Sequence, residues 1–128
     1  MIEVNLYSAY HLTRKIAPSM IDAKKGHIFN MCSVASIKAY PNGGSYSISK
    51  FAMLGMSKVL REELKSTGVK VTSVLPGATW SASWAGVDLP EERLMRATDI
   101  SDSIYGAVQL SASAVIEEII IRPQLGDL

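Results

Sequence analysis

Cysteine is nearly absent from the sequence. Its 128 residues include only Cys32, so no intrachain disulfide can form and nothing places the chain outside a reducing compartment. Charge of one sign is not in excess, since 13 basic and 12 acidic side chains give a net charge of +1. We therefore expect no strong field to attract nucleic acid or an anionic membrane.

Long apolar runs are missing too, and none approaches the ~20 residues that span a bilayer. The first residues lack the basic and apolar regions of a secretory signal, so we expect a cytoplasmic protein. His11 and His27 lie far apart without cysteine or carboxylate at ligand spacing, so no metal site is expected. What is present, 48% hydrophobic and 20% charged residues, fits one ordinary globular domain.

Apolar periodicity and turn residues predict six elements, namely helices over 2–22, 45–67 and 98–112 and strands over 27–31, 69–75 and 117–121. We expect Pro18 to kink or shorten the first helix, Gly68 to close the second, Thr98 to cap the third, and the final strand to be buried. Alternating helices and strands indicate an α/β fold with a parallel sheet. Because three strands make an incomplete layer, a further N-terminal part is expected.

Tyr46 and Lys50 are four residues apart on the second predicted helix and share one face. An ammonium near a phenol favours the phenolate, which suits acid–base chemistry. Alone, this common spacing is better explained by a solvated tyrosine and lysine. The surrounding sequence favours a functional site instead. Ser33 and Pro76-Gly77 each follow a predicted strand, and ligands bind at the carboxyl ends of parallel strands.

Four motifs in order resemble those of the classical short-chain dehydrogenases/reductases. They are the strand-and-serine stretch 26–36 around Ser33, the pair Tyr46 and Lys50, the segment Val4-Asn5-Leu6, and Leu75-Pro76-Gly77. Their spacings fit those of the family, and the resemblance extends from residue 1 to about residue 122. It implies an NAD(P)-dependent oxidoreductase that transfers hydride between a carbonyl and an alcohol.

The resemblance also implies roles for individual residues. Tyr46 would exchange a proton with the substrate oxygen, and Ser33 would hydrogen-bond that oxygen. Lys50 would bind the nicotinamide ribose beside Tyr46 and lower the pKa of the phenol, and Asn5 would hold a water of a proton relay. The further cofactor contacts would be Pro76, Gly77, Thr79 and Ser81, the last standing where the family usually has threonine.

Two family motifs have no counterpart in the sequence, the glycine-rich turn that cradles the pyrophosphate and the Asn-Asn-Ala-Gly motif. Asn42-Gly43-Gly44 is expected to be a loop tip and no substitute for them. We therefore expect residues 1–128 to be the C-terminal part of a single Rossmann-like, doubly wound domain, comprising its last three strands and their helices. Whether Met1 is an internal methionine, an alternative start or an artificial boundary stays open.

The expected partners are a small carbonyl or alcohol substrate, NAD or NADP, and further copies of the chain. A homodimer or homotetramer would form through helices 2–22 and 45–67, with no nucleic acid and no membrane involved. The alternative is a catalytically inert fragment that acts only as an oligomerising or interaction module. In either case we expect the isolated chain to be inactive and to bind the cofactor weakly or not at all.

Three further residues have open or ordinary interpretations. Cys32 is expected to be a small buried hydrophobe. Trp80 and Trp84 are one helical turn apart and either line a substrate pocket or take part in ordinary packing.

Overall fold

The computed structural model describes residues 3–41 and 43–128, apart from the side chains of Glu3 and Asn5. Its main elements are α1 (Ser8–Ala23), β1 (Gly26–Met31), α2 (Gly44–Leu64), β2 (Val69–Pro76), α3 (Ala97–Val108) and β3 (Glu118–Ile121). A π-helical turn (Glu3–Tyr7) precedes α1. Short 3-10 turns follow β1 (Val34–Ser36) and β2 (Ala82–Trp84 and Glu91–Arg93).

The three strands form one parallel sheet in the order β1-β2-β3. Met31 of β1 is level with Val74 of β2, and Pro76 of β2 is level with Ile121 of β3. All three carboxyl ends therefore lie at the same edge of the sheet. The predicted α/β fold class, a partial Rossmann-like sheet of three parallel strands with helices, is confirmed.

The central strand β2 organises the core. Val74 and Leu75 are fully buried and belong to different clusters, as their side chains point to opposite faces of the sheet. Leu75 packs with Met53 and Leu54 of α2, and Val74 packs with Ile100 of α3. Helices thus cover both faces of β2, the arrangement that parallel strands require.

The first helix differs from its prediction at both ends. Met1 and Ile2 lie outside the described residues, and the backbone of 3–7 is a π-helical turn. Pro18 does not shorten α1, because the missing amide removes a single helical hydrogen bond and the helix continues to Ala23. The end is a left-handed cap at Lys24 (φ 56°), where its amide and that of Lys25 donate to carbonyls of the last turn.

The other helices begin or end at different residues from those predicted. α2 ends at Leu64, and its C-cap is Lys65, three residues before Gly68. Thr98 is not the cap of α3, because the Asp99 carboxylate accepts a hydrogen bond from the Arg96 amide (2.8 Å) and starts the helix at Ala97. α3 also ends at Val108, four residues before the predicted boundary.

The last strand is not buried as predicted. β3 begins at Glu118, and Ile120 is 45% exposed. The physical reason is its place in the sheet, since β3 pairs only with β2 among the described residues and forms an edge.

Gly68 is required where the chain enters β2. Its φ is +89°, and a Cβ there would clash with the carbonyl oxygen of Lys24. We expect Gly68→Ala to lower the free energy of unfolding by about 1–3 kcal/mol. Urea denaturation followed by circular dichroism measures this change.

Gly106 provides the matched control, because it is exposed in α3 and a Cβ there would meet no described atom within 4 Å. Gly106→Ala should raise the free energy of unfolding by about 0.5–1 kcal/mol. Equal effects of the two substitutions would contradict the assigned role of Gly68.

Candidate active site

An open cleft of about 410 Å³ lies at the carboxyl ends of β1 and β2. Its walls come from the residues after β1, the first turn of α2 and the residues after β2, including Ser33, Tyr40, Tyr46, Pro76, Gly77, Thr79 and Trp84. The parallel register produces this convergence, because Ser33 and Pro76 each lie two residues beyond a paired position, Met31 and Val74. Residues that carry hydroxyl groups, from separate segments, therefore line one space.

Ser33 stands where β1 turns into the following loop. Its backbone is extended (φ −160°, ψ 160°), and its Oγ accepts a hydrogen bond from the Ala35 amide at 3.1 Å. The Ser33 amide in turn donates to Ser36 Oγ at 3.2 Å. These bonds fix the position of the Ser33 oxygen and use it as an acceptor, which leaves its proton for donation to a ligand.

Tyr46 and Lys50 lie on one face of α2, as their spacing predicts. The Lys50 Nζ is 5.7 Å from the centroid of the Tyr46 ring and donates a hydrogen bond to the Met31 carbonyl oxygen at 3.2 Å. That second contact holds the ammonium at the end of β1, close to the phenol. Tyr46 is 39% exposed and lines the cleft, whereas Lys50 lies beside it and outside the lining.

The turn after β2 forms the opposite wall. The Gly77 amide donates to the Ile121 carbonyl oxygen at 2.7 Å, which ties the turn to the end of β3. Thr79 Oγ1 donates to the Gly77 carbonyl oxygen at 3.0 Å, and the Thr79 backbone forms a bridge with Met95. Backbone and side-chain groups of this wall are therefore held in place before any ligand arrives.

Besides Lys50, one further predicted site residue is not among the residues that line the cleft. Ser81 lies outside the lining, and its hydroxyl pairs with Ser83 Oγ at 2.7 Å. The side chain of Asn5 lies outside the described residues, so its predicted role stays a prediction.

Two aromatic residues line the cleft in addition to Tyr46. Trp84 is one of them, which agrees with the interpretation that the tryptophans line a pocket. Trp80 instead lies in a separate hollow beside Glu91, Glu92 and Asp99. Tyr40 was missed by the sequence reasoning. Its signal was weak, a lone aromatic residue in a loop of small and turn-forming residues that follows the strand carrying Ser33.

Cys32 and His27 make contacts within the fold, and both have shifted pKa values. Cys32 is buried, as predicted, and burial raises the pKa of its thiol to about 11, although Lys50 and a hydrogen bond to Ser36 act in the opposite direction. His27 Nε2 is 2.7 Å from Thr72 Oγ1, and burial, followed by the charge of Lys70, lowers its pKa. Within residues 3–41 and 43–128, no three His, Cys, Asp or Glu side chains are grouped to hold a metal ion.

The chain matches the model of the short chain dehydrogenase family over residues 1–91. Among curated proteins it is 34% identical to a sepiapterin reductase of Chlorobaculum tepidum, over 99% of this chain and 52% of the relative. Together with the sheet and the cleft, these matches show that the chain belongs to the short-chain dehydrogenase family. It spans about half the length of the curated relatives it matches.

Solved structures agree with this assignment. A metagenomic short-chain oxidoreductase in complex with NADP is 31% identical, with a TM-score of 0.76 over 97% of this chain and 50% of that one. The closed form of serine dehydrogenase complexed with NADP+ is 27% identical, with a TM-score of 0.83 over 94% of this chain and 53% of that one. No described helix is long and apolar enough to cross a bilayer.

The Cys32 environment predicts low thiol reactivity. A pKa of about 11 against an ordinary value of 9.0 leaves about 100-fold less thiolate at pH 8, and burial limits access further. We expect alkylation by iodoacetamide at pH 8 to be at least about 100-fold slower in the folded chain than in urea. Mass spectrometry of timed samples measures both rates, and similar rates would contradict the buried placement.

Proposed function

We propose that the protein carrying this chain is an NAD(P)-dependent oxidoreductase that interconverts a small carbonyl compound and its alcohol, with Ser33, Tyr46 and Lys50 as the proton-transfer group. The observation that supports this most directly is the shared cleft. Two hydroxyl groups from different segments line it, and an ammonium lies 5.7 Å from the ring that bears one of them.

The proposed proton path begins at Tyr46. A bound nicotinamide cofactor would supply or accept the hydride at the substrate carbon. In the reductive direction the Tyr46 phenol gives its proton to the carbonyl oxygen, while the Ser33 hydroxyl donates a hydrogen bond to that same oxygen. The nearby Lys50 ammonium stabilises the phenolate that remains. In the oxidative direction the phenolate removes the proton from the alcohol.

The residues present fit the nicotinamide end of such a cofactor. The cleft is open, and one wall is the hydrogen-bonded turn of Pro76, Gly77 and Thr79, whose backbone groups can face a carboxamide. Lys50 and Tyr46 would contact the ribose hydroxyls from the opposite side. Ser81 would reach the cofactor only after leaving Ser83, and Asn5 would hold the relay water.

Domain organisation and assembly belong to the same proposal. Residues 1–128 would be the C-terminal part of one NAD(P)-binding domain in a cytoplasmic enzyme. A homodimer or homotetramer would form through α1 and α2, because exposed apolar side chains lie along both, including Leu12, Ile16, Phe51 and Val59. A groove between these helices, lined in part by Tyr10 and Met56, extends this apolar surface.

Removal of the Tyr46 hydroxyl tests the proposed acid. In the whole protein that carries this chain, we expect Tyr46→Phe to lower kcat by about 100-fold or more, because the phenyl ring keeps its place and cannot give a proton. Steady-state absorbance of the reduced nicotinamide at 340 nm, with a carbonyl substrate that the unchanged enzyme accepts, measures this loss.

Tyr105→Phe is the matched control, since Tyr105 is exposed on α3 and removed from the cleft. It should leave kcat within about twofold of the unchanged enzyme. Retained turnover in the Tyr46→Phe variant would reject the proposed mechanism.

A second test concerns the isolated chain. We expect little or no saturable binding of NADH or NADPH to residues 1–128, because the glycine-rich turn that holds a pyrophosphate has no counterpart in this sequence. Nicotinamide fluorescence during titration reports binding, and the whole protein serves as the positive control. Tight, saturable binding by residues 1–128 would contradict both this expectation and the alternative of an inert interaction module.

A further inference from the structure

The chain's C-terminal turn, residues 122–127, contacts a residue that lines the cleft. The Tyr40 hydroxyl donates a hydrogen bond to Asp127 Oδ2 at 2.8 Å. Tyr40 belongs to the loop between β1 and α2, and it lines the same cleft as Ser33 and Tyr46. A side chain near the end of the sequence thus holds an aromatic residue at the candidate active site.

The Asp127 carboxylate also forms an ion pair, although its Oδ1 atom accepts no hydrogen bond from the described residues. Its Oδ1 atom lies 3.3 Å from Arg122 Nε, so the carboxylate lies between a guanidinium and the Tyr40 phenol. Burial, the hydrogen bond to Asp127 and the charge of Asp127 all raise the pKa of Tyr40, so the phenol remains a neutral donor at neutral pH. A hydrogen bond from a phenol to a carboxylate is of the stronger, charge-assisted type.

The same turn also holds the segment after β2. Arg93 donates from Nη1 to the Gly126 carbonyl oxygen at 3.0 Å and from Nη2 to the Asp127 carbonyl oxygen at 3.2 Å. The turn itself is closed by the Gly126 amide, which donates to the Pro123 carbonyl oxygen at 2.8 Å, and by the positive φ of Gly126 (91°). The loop before α2 and the segment after β2, which both contribute residues to the cleft lining, are therefore joined through residues 122–127.

We propose that Asp127 is a positioning residue that fixes Tyr40 in the cleft it shares with Ser33 and Tyr46, where its ring would border the substrate, and so sets how tightly the enzyme holds its substrate. This proposal rests on the proposed function. Asp127 itself is not among the residues lining the cleft, so it acts through Tyr40. Proton transfer uses Ser33, Tyr46 and Lys50, whose contacts with Ala35 and Met31 involve neither Asp127 nor Tyr40.

This separation predicts a specific kinetic pattern. In the whole protein, Asp127→Ala should raise the KM for the carbonyl substrate about tenfold, while kcat and the KM for the reduced nicotinamide stay within about twofold. Tyr40→Phe removes the other partner of the same bond and should give a similar increase. The double variant should be no worse than the more affected single variant, because both substitutions remove one interaction.

Two variants separate this effect from a general loss of stability. Asp127→Asn keeps the side-chain volume and provides a conservative test if Asp127→Ala fails to fold, and its KM should lie between the values of the unchanged enzyme and of Tyr40→Phe. Asp102→Asn is the matched control, since Asp102 is an exposed carboxylate on α3, and it should change neither KM.

Hydrogen–deuterium exchange tests the contact without any need for turnover. In Asp127→Ala, amides in residues 37–43 should exchange faster than in the unchanged protein, and those of β2 should exchange at the same rate. If the unchanged protein had no oxidoreductase activity, the proposed function would be rejected. The exchange experiment would still show whether Asp127 holds the loop that carries Tyr40. Unchanged exchange at 37–43, or a substrate KM unaffected by Asp127→Ala and Tyr40→Phe, would overturn the proposal.

Discussion

The parallel pairing of β1 with β2 is the constraint on which the rest of the structure depends. It brings the residues after both strands to one edge of the sheet, so Ser33 and the Pro76-Gly77 turn come together although they are distant in sequence. Because side chains alternate along a strand, a slip of one residue would turn each inward side chain to the other face. The complete burial of Val74 and Leu75, one on each face, makes such a slip costly.

The position of α2 follows from the same strands. Met53 and Leu54 pack on Cys32 and Leu75. Apolar packing alone does not fix the rotation of a helix about its axis, but buried hydrogen bonds from Ser57 of α2 do. Ser57 Oγ accepts a hydrogen bond from Asn30 Nδ2 (3.1 Å) and pairs with Ser73 Oγ (2.6 Å), so one helical residue is joined to both β1 and β2. Since buried polar groups need partners, these bonds fix the rotation of α2 and hence the direction of Tyr46 and Lys50.

Sequence reasoning succeeded where local spacing decides the structure. The strand patterns, the shared face of Tyr46 and Lys50 and the burial of Cys32 all follow from period, burial and short-range sterics. It failed where a single side-chain hydrogen bond determines the first residue of a helix. The Asp99 carboxylate, for example, makes α3 begin before Thr98. The contact between Tyr40 and Asp127 could not be predicted from the sequence, because it joins residues 87 positions apart and depends on how the loops pack.

The proposed reacting groups and the groups that would bind most of a dinucleotide belong to different parts of the fold. Ser33, Tyr46 and Lys50 are held by β1, the loop after it and α2, and their described hydrogen bonds stay within that one unit. In the proposed mechanism, the groups that transfer the proton therefore come from neighbouring elements of this chain, which spans about half of a relative's length. Binding of a dinucleotide would draw on other contacts as well, because a glycine-rich turn at a helix N-terminus offers a favourable site for its phosphate groups. If the proposed function holds, positioning of the reacting groups and affinity for the cofactor would thus depend on different parts of the fold.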